Sequence, residues 1–383
     1  MDILAAPEWL FWFIIGKVIP FVFVLTIVVF FHELGHFLVA RWNKVKVDAF
    51  AVGFGPEIIG RNDRHGTRWK LCVIPLGGYV KFLGDEDASS KPDRDALDAM
   101  DASEREGAFE HKALWRKAAV VAAGPIANFI LASVIYTALF VYYGDARISP
   151  VVGTVGEVSA AKDAGILVGD KIVSINGDAI DDFQDISRYT LTGADTPLLF
   201  VIQRGNERLT IPATPRMTER EDRFGNKFMT GLVGIGPDTS PENIVRIQLG
   251  VGAAFTKSLD SIWQIVSRTY HFIRELILGK QDATQLRGPL GIGQMTSQVA
   301  TLGIIQLISL AAALSVSIGL MNLLPVPVLD GGHLIFYAIE GIRGKALSPR
   351  TQEYAFRIGL TCILMMMLFA TSNDVRRILG IFG

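Results

Sequence analysis

The stretch Phe30-Phe31-His32-Glu33-Leu34-Gly35-His36 lies near the end of a long apolar run, Leu10–Ala40. His32 and His36 are four residues apart, so on a helix they project from one face and can hold one metal ion. Glu33 follows the first histidine, where its carboxylate can take a proton from a water on that metal. Each ionisable side chain costs about 2.5–3.5 kcal/mol at a bilayer centre, which is hard to explain without a metal.

The depth of these side chains follows from Arg41, the first charged residue after the run. At 1.5 Å per residue, His36 and His32 lie about 7 and 13 Å before Arg41, so the site is submerged only shallowly below one membrane face. An HExxH pattern is short, however. Two intramembrane histidines could also form a proton relay or a polar helix contact, and a third ligand is needed to decide.

The composition indicates an integral membrane protein that also has segments outside the membrane. It has 383 residues, of which 50% are hydrophobic, a mean hydropathy of +0.35 and a net charge of -1. The near-neutral charge argues against nucleic acid as a partner. The two cysteines, Cys72 and Cys362, are best interpreted as packing residues. We expect the N-terminal run to be a span and not a cleaved signal peptide, because its apolar core is too long.

Four stretches are long and apolar enough to cross a bilayer, namely Leu10–Ala40, Ala118–Tyr143, Ile304–Leu324 and Tyr354–Thr371. Basic residues that flank the first two spans mark the cytosolic side. They are Arg41, Lys44, Lys46, Lys112, Arg116 and Lys117. Both termini and the long middle segment are therefore predicted to lie outside the cytoplasm, with the metal site near the cytosolic face.

The segment between the first two spans is predicted to hold strands. Trp69–Ile74 and Tyr79–Leu83 are expected to pair as a β-hairpin around Gly77-Gly78. The hairpin is apolar enough to dip into the membrane beside the metal helix, and the alternative is an ordinary cytosolic hairpin. Gly84–Glu110 is rich in acidic residues and predicts a flexible, solvated loop.

The second span contains Ala123-Gly124-Pro125-Ile126-Ala127-Asn128-Phe129. Its glycine and proline suit a close helix approach or a local break, and Asn128 is expected to bond a neighbouring helix. Residues 148–213 predict a small α/β unit with an Asn176-Gly177 turn, a helix at Phe183–Leu191 and a closing hairpin. A strand edge in such a unit can bind peptide ends. An amphipathic helix is expected further on, between Phe255 and Ile277, and a fifth span is the alternative that its frequent charges disfavour.

The third ligand is predicted from the end of the third span, Asn322-Leu323-Leu324-Pro325-Val326-Pro327-Val328-Leu329-Asp330-Gly331-Gly332-His333. The prolines end the helix, and Asp330 stands at the break, where an acid is costly without a partner. Two histidines, one carboxylate and an open position form a catalytic zinc set. His333 is a rival ligand, expected to lie outside the coordination sphere. Asn322 is a donor placed to hold substrate backbone or to orient the site.

These motifs resemble the site-2 protease family of intramembrane zinc metalloproteases, and the match is closest to its bacterial RseP type. The resemblance is carried by HELGH, AGPIANF, IPLGGYVKFLGD, RGPLGI at Arg287–Ile292, and NLLPVPVLDGGH. It implies that His32, His36 and Asp330 bind Zn²⁺, that Glu33 is the general base and that Asn322 contacts substrate. It further implies a stress-response enzyme of the bacterial inner membrane that cuts single-span proteins, typically anti-sigma factors already trimmed outside.

The resemblance also implies that residues 148–213 form one periplasmic PDZ domain, for which a free C-terminal end is the expected kind of ligand. The chain departs from the family here, because Ser159-Ala160-Ala161 replaces Ser-Pro-Ala and Val168-Gly169-Asp170 replaces Pro-Gly-Asp. A non-catalytic membrane adaptor that presents this unit is the alternative function, and a metal transporter is a third. The intact His32, Glu33, His36 and Asp330 count against the adaptor. A transporter would need a path of ligands through the bundle, whereas the sequence offers one cluster.

The predicted fold is a polytopic α-helical membrane protein of about four spans, with a membrane-associated β-hairpin and one inserted PDZ-like domain. The segments are 1–43 with the HExxH helix, 44–117 with the hairpin and charged loop, 118–143, the unit 148–213, a periplasmic linker and amphipathic helix at 214–300, 301–342 with LDGG, and 350–383. The hairpin is expected to clamp unwound substrate by β-addition. Its predicted substrate-binding residues are Gly78, Tyr79, Val80, Lys81 and Phe82.

Overall fold

The computed structural model describes residues 14–86, 94–192, 196–221, 227–279 and 283–379. Its helices are α1 (Ile19–Trp42), α2 (Arg94–Ala99), α3 (Ala102–Gly107), α4 (Leu114–Tyr143), α5 (Ala160–Asp163), α6 (Phe183–Thr192), α7 (Val251–Ile277), α8 (Pro289–Thr301), α9 (Ile304–Asn322), α10 (Asp330–Arg343) and α11 (Pro349–Ile378). Its strands are β1 (Val47–Asn62), β2 (Arg68–Phe82), β3 (Asp145–Ile148), β4 (Val152–Val155), β5 (Lys171–Ile175), β6 (Asp178–Ala179), β7 (Leu198–Arg204), β8 (Glu207–Ala213), β9 (Arg216–Glu221), β10 (Lys227–Leu232), β11 (Ile235–Pro237) and β12 (Ile244–Ile247).

The chain divides into two compact units. The first comprises Met1–Tyr136, Phe255–His271 and Leu286–Gly383, and the second comprises Thr137–Ala254 and Phe272–Gln285. Four helices are long and apolar enough to span a membrane, and they match the four predicted spans. They are Gly16–Trp42, Leu114–Tyr143, Ile304–Asn322 and Arg350–Ile378. The predicted start of the first span, Leu10–Phe13, lies outside the described residues.

The first turn of helix α1 contains a proline that is compatible with a helix start. A π-helical turn, Ile14–Val18, precedes the helix, and Pro20 lies in its first turn, where a missing N–H is tolerated. Among the 18 most apolar consecutive residues of this span, only 17% are buried, and the corresponding share in α11 is only 11%. Large apolar side chains therefore remain exposed around α11, as expected for a helix that faces lipid.

The sheet of β1 and β2 differs from the predicted hairpin. Val47–Val52 pairs with Gly78–Phe82 on one side and, through Ala49–Val52, with Arg68–Leu71 on the other. Trp69–Ile74 and Tyr79–Leu83 therefore flank β1 and do not pair with each other around Gly77-Gly78, so that prediction was wrong. Within the described chain, Gly78–Phe82 forms an edge of the sheet.

The burial of Phe50 explains why β1 takes the central position. This side chain is 1% exposed, and its ring centroid lies 5.7 Å from Phe30, 5.4 Å from Phe37 and 4.4 Å from Trp69. Such aromatic contacts favour the arrangement that buries the most apolar surface. Gly53 and Gly55 have positive φ angles of 86° and 87°, which lets β1 bend and its second half pair with β2.

A carboxylate fastens the turn after β1 to the end of α1. Asp63 accepts hydrogen bonds from the Arg41 guanidinium, from Trp69 Nε1 at 3.2 Å and from the amides of His65 and Thr67 at 2.8 and 3.1 Å. Desolvation would raise the pKa of Asp63, but these hydrogen bonds outweigh it and lower the pKa to about 2. The carboxylate is therefore ionised throughout the physiological range.

The charged segment after the sheet is not a simple loop. Its described residues form α2, α3 and a 3₁₀ turn at Phe109–His111, so the predicted flexible loop was wrong there. Phe109 is buried, and its ring stacks on Phe82 with centroids 4.8 Å apart. This apolar contact, which acidic composition alone does not reveal, anchors the segment against the sheet.

The second unit contains the elements predicted for 148–213. Its four-stranded sheet has the order β6-β5-β7-β8, with the β5–β6 turn at Asn176-Gly177 and with α6 where a helix was expected. The unit extends beyond residue 213, because β11 pairs with β4 and Val233 lies in its core. The predicted linker from residue 214 was therefore wrong, since β9 to β12 occupy this stretch.

Helix α7 is confirmed as an amphipathic helix. Ile262, Ile265 and Val266 pack against a cluster built on Ala132 of α4 and on Ala312 and Val316 of α9. Its other apolar face stays exposed and consists of Phe255, Leu259, Trp263, Tyr270 and Ile277.

The ion pair of Asp170 and Arg204 should stabilise the second unit. Arg204 Nη2 lies 2.8 Å from Asp170 Oδ2, and the Asp170 side chain is 1% exposed. Burial raises the pKa of Asp170, but hydrogen bonds from Arg204 and the Leu167 amide outweigh burial and lower it. The stabilisation is thus present above the unfolded pKa of about 3.9 and is lost as the pH falls below it.

We expect Asp170→Asn to lower the opening free energy of β7 by about 2 kcal/mol at pH 7, because a charged hydrogen-bond pair is lost. Amide hydrogen exchange of the intact chain measures this quantity. Asp163→Asn is the matched control, because its pair with Arg216 has the same 2.8 Å distance but exposed side chains, and it should change the value by about 0.5 kcal/mol at most. Equal effects of both substitutions would contradict the account.

Candidate metal centre

Three side chains that are distant in sequence meet between α1 and the start of α10. His32 Nε2 lies 3.3 Å from Asp330 Oδ2, and His36 Nε2 lies 3.6 Å from the same oxygen. The two histidine Nε2 atoms are 3.2 Å apart. The predicted set of two histidines and one carboxylate is therefore brought together, and it is the group of this kind found among the described residues.

Asp330 is placed by the break between α9 and α10. It is the first residue of α10, and residues 323–329 connect it to α9. A Cβ on Gly331 would lie 2.3 Å from the carbonyl oxygens of Leu323 and Leu324. A Cβ on Gly332 would lie 2.3 Å from the Val326 oxygen. Both glycines of the LDGG motif are thus needed for the connection to fold back against α10.

The other ring nitrogen of each histidine faces α4. His36 Nδ1 lies 2.9 Å from the Val120 carbonyl oxygen, so it must carry a proton and donate it. This tautomer leaves the lone pair of His36 Nε2 free for a metal. His32 Nδ1 lies 3.3 Å from the side-chain amide of Asn128, which is fully buried. A metal on His32 Nε2 likewise requires a proton on Nδ1 and an oxygen of Asn128 as its acceptor.

The orientation of the Asn128 amide follows from this requirement. With Nδ2 turned to His32, Asn128 Oδ1 is buried and has no partner among the described residues. Because the amide nitrogen and oxygen are nearly interchangeable in shape, turning the amide over presents Oδ1 to the His32 N–H. Ser315 Oγ holds the backbone of this residue by donating to the Asn128 carbonyl at 2.8 Å. Asn128 thus bonds a neighbouring helix, as the sequence predicted.

The donor set fits zinc. Zinc ligands at about 2.0–2.1 Å in a tetrahedron lie about 3.3 Å from one another, close to the separations of the three donor atoms. Asp330 Oδ2 is buried, yet no hydrogen bond from the described residues is directed at it. A buried carboxylate oxygen in that state is explained by a cation. Three protein ligands also leave one position open, as in catalytic zinc sites.

Gly124 lets the two histidine rings approach α4. A Cβ at this position would lie 2.3 Å from His36 Nε2 and 2.9 Å from His32 Cε1. On the opposing helix, a Cβ on Gly35 would lie 2.8 Å or less from the backbone of Ala123. Val120, Gly124 and Asn128 are four residues apart, so they form one stripe of α4 that faces the HExxH motif.

The remaining predicted residues lie around a cavity of about 950 Å³. Glu33 and Asn322 line it together with the three donor side chains, and so do Gly78, Tyr79, Val80 and Phe82 of the sheet edge. A Cβ on Gly78 would lie 3.0 Å from Glu33 Cγ, which places this edge beside the carboxylate. Lys81 does not line the cavity, and its Nζ donates to the Glu86 carbonyl at 3.2 Å.

His333 also lines the cavity but lies outside the three-residue donor group, as the sequence predicted. The sequence interpretation did not foresee that Gly124 contacts the histidines or that the Val120 carbonyl orients one of them. The four-residue spacing of Gly124 and Asn128 was the available signal. The Val120 contact is made by the backbone, so no residue type could have indicated it.

Comparison with known proteins identifies the family of the chain. The sequence profile of "Peptidase family M50" matches residues 20–366. The chain belongs to peptidase family M50. A relative from Agrobacterium fabrum named "Putative zinc metalloprotease" is 48% identical over 368 residues, covering 96% of this chain and 98% of the relative. "Metalloprotease MmpA" of Caulobacter vibrioides is 36% identical over 382 residues, covering 94% of this chain and 95% of its own. The M50 chain is thus a zinc metalloprotease, with several helices that could span a membrane.

Two solved PDZ domains resemble a part of the M50 chain. The HtrA3 PDZ domain bound to a phage-derived ligand is 26% identical, with a TM-score of 0.17, and covers 19% of this chain and 82% of the domain. The PDZ domain of an SdrC-like protein from Listeria innocua is 23% identical, with a TM-score of 0.19, and covers 24% of this chain and 96% of the domain. At these TM-scores the similarity carries no functional argument.

We expect Gly124→Ala to weaken zinc binding by tenfold or more, because its methyl group would displace both histidine rings. Competition with a zinc chelator measures the affinity. Gly293→Ala is the matched control, since Gly293 also lies in a helix and its added Cβ would meet nothing closer than 3.9 Å. Unchanged zinc affinity in Gly124→Ala would show that the rings do not rest on α4 as described.

Proposed function

We propose that this M50 zinc metalloprotease is an intramembrane endopeptidase that cleaves single-span membrane proteins. The observation that carries the proposal is the position of the donor set. His32 and His36 lie within one candidate span, and Asp330 begins the helix after another, eight residues beyond the end of that span. A protease acting only on soluble chains has no reason to carry the cost of ionisable groups at that depth.

We assign His32, His36 and Asp330 as the zinc ligands and Glu33 as the general base. When bound, zinc polarises the scissile carbonyl and acidifies the attacking water. Glu33 accepts the proton of that water and then passes it to the leaving amine of the substrate fragment. Asn322 lines the same cavity, and its side-chain amide can donate to the carbonyl of the substrate. The intact set of these residues counts against a non-catalytic adaptor.

The sheet edge at Gly78–Phe82 is proposed to hold the substrate. A peptide bond in a membrane helix is shielded by its own hydrogen bonds, so the substrate must be locally extended before attack. The freed N–H and C=O groups then need partners, and an unpaired strand edge supplies them. Gly78, Tyr79, Val80 and Phe82 line the cavity with Glu33, which supports this role. Lys81, with its ammonium turned to Glu86, would contribute through its backbone only.

The cellular role is inferred from the family resemblance and from charge. We propose that the substrate is an anti-sigma-factor-like protein that another protease has first cut in the periplasm, as in a stress response. Basic residues at the ends of the first two spans support an inner-membrane topology with the metal centre near the cytosol. The second unit would then lie in the periplasm, where a PDZ-like edge could bind a free C-terminal end.

The proposed roles of ligand and base are separated by substitution. His32→Ala and Asp330→Ala should lose zinc, because three protein ligands are barely sufficient. Glu33→Gln should keep one zinc per chain and lose cleavage by a factor of 10² or more, an order of magnitude typical of a lost general base. Zinc content and cleavage of a single-span substrate in vesicles measure the two effects. Full cleavage by Glu33→Gln would refute the mechanism.

The substrate clamp is tested with proline, which removes one ladder donor. Val80→Pro should lower cleavage at least tenfold while zinc content stays unchanged. Val80 is the cleaner position, because the Phe82 amide already donates to Asp85 Oδ2 at 2.9 Å, although Phe82→Pro should also impair pairing.

Ile58→Pro on the opposite edge of the sheet is the control for Val80→Pro. Glu57 pairs with Cys72 and Ile59 pairs with Leu71, so Ile58 between them is the extra residue of a β-bulge. Proline is tolerated at such a bulge. Wild-type cleavage by Val80→Pro, or an equal loss with Ile58→Pro, would rule out a specific clamp.

A further inference from the structure

A second, smaller cavity lies where α1 ends and α4 begins. Its volume is about 430 Å³, and three cationic side chains line it, those of Lys44, Lys112 and Arg116. The lining also contains His111 and one carboxylate, that of Glu106. Positive charge is therefore in excess at a point where two candidate spans reach the same surface.

These cations are only partly compensated by the protein. Burial lowers the pKa of Lys112, and repulsion by Arg116 and Lys44 lowers it further against the attraction of Glu106. Lys112 Nζ donates to the backbone carbonyl of Glu106. Arg116 Nε is buried and has no hydrogen-bond partner among the described residues. An anion in the cavity would accept from Arg116 and reduce the repulsion between the three cations.

Two tryptophans indicate where that anion comes from. Trp42 and Trp115 line the cavity, and they are 75% and 64% exposed. Trp42 ends the first span and Trp115 is the second residue of α4, positions at which tryptophan rings lie at the level of lipid headgroups. The Arg116 guanidinium lies 5.2 Å from the centroid of the Trp115 ring. The cavity thus opens beside two exposed rings at positions typical of the headgroup level, which favours a lipid headgroup over a soluble anion.

We propose that this cavity binds the phosphate of an anionic phospholipid from the surrounding bilayer. The lipid joins the end of α1, which carries both metal-binding histidines, to the start of α4, on which their rings rest. Binding at this point holds the two helices at one depth in the membrane. The site is separate from the metal centre, because none of its lining residues lines the larger cavity.

The test uses the full chain in phosphatidylcholine vesicles that contain brominated phosphatidylglycerol or brominated phosphatidylcholine. Bromine quenches nearby tryptophan, and the difference between wild type and Trp42→Phe isolates the emission of Trp42. We expect wild type to bind phosphatidylglycerol at least fivefold more strongly than phosphatidylcholine at this position. Lys112→Gln/Arg116→Gln should abolish the preference, and Lys112→Gln alone should reduce it.

Arg343→Gln/Lys345→Gln is the matched control, because it removes two exposed basic residues that do not line the cavity. It should keep the preference, and zinc content verifies the folding of every variant. Absence of a preference in wild type would overturn the proposal, as would an equal loss in the control, which indicates general surface charge. Abolition of the preference by millimolar inorganic phosphate at constant ionic strength would also overturn it, since the site then takes a soluble anion.

Discussion

The structure depends on one constraint, which is that two imidazoles and one carboxylate must meet at the edge of an apolar layer. Ionisable groups there are costly unless each finds a partner, and a shared cation satisfies all three at once. The histidines come from one turn of α1, whereas Asp330 comes from the start of α10. The broken third segment, with Gly331 and Gly332 folded against the preceding carbonyls, delivers the carboxylate to the histidines.

Helix α4 packs against both histidine rings of this centre. The Val120 carbonyl contacts His36, the lack of a side chain at Gly124 makes room for both rings, and the Asn128 amide contacts His32. These three residues follow one another at intervals of one helical turn. These three features fix the ring nitrogens that face away from the metal and allow the rings to approach. On the other side of Glu33, the sheet edge is held by the Phe50 aromatic cluster and by the Asp63–Arg41 contact. The cavity therefore combines the three donors with a strand edge that is unpaired among the described residues, which is the arrangement that the proposed cleavage of a helical substrate requires.

The spans and the common helix face of His32 and His36 could be predicted because apolar length and helical spacing are local properties of the sequence. The strand pairing could not be predicted from local properties. Two apolar strands on either side of Gly77-Gly78 suggest a hairpin, but Phe50 is buried only when β1 lies between them. The extent of the second unit was missed for a similar reason, because Val233 joins a core whose other members end at Ala213. Long-range packing decided both outcomes. The four-residue spacing of Gly124 and Asn128 indicates that they share one face of α4, but the contact of Gly124 with the histidines also depends on which helix packs against that face.

The central claim is that His32, His36 and Asp330 hold one zinc ion. X-ray absorption of the zinc-loaded protein in lipid tests it most directly. Both cysteines are free thiols, so a sulfur ligand is chemically available and the outcome is not fixed in advance. The account predicts four light atoms at about 2.0–2.1 Å, with the multiple-scattering signature of two imidazoles. A zinc–sulfur distance of about 2.3 Å, or a shell with fewer than two imidazoles, would contradict it.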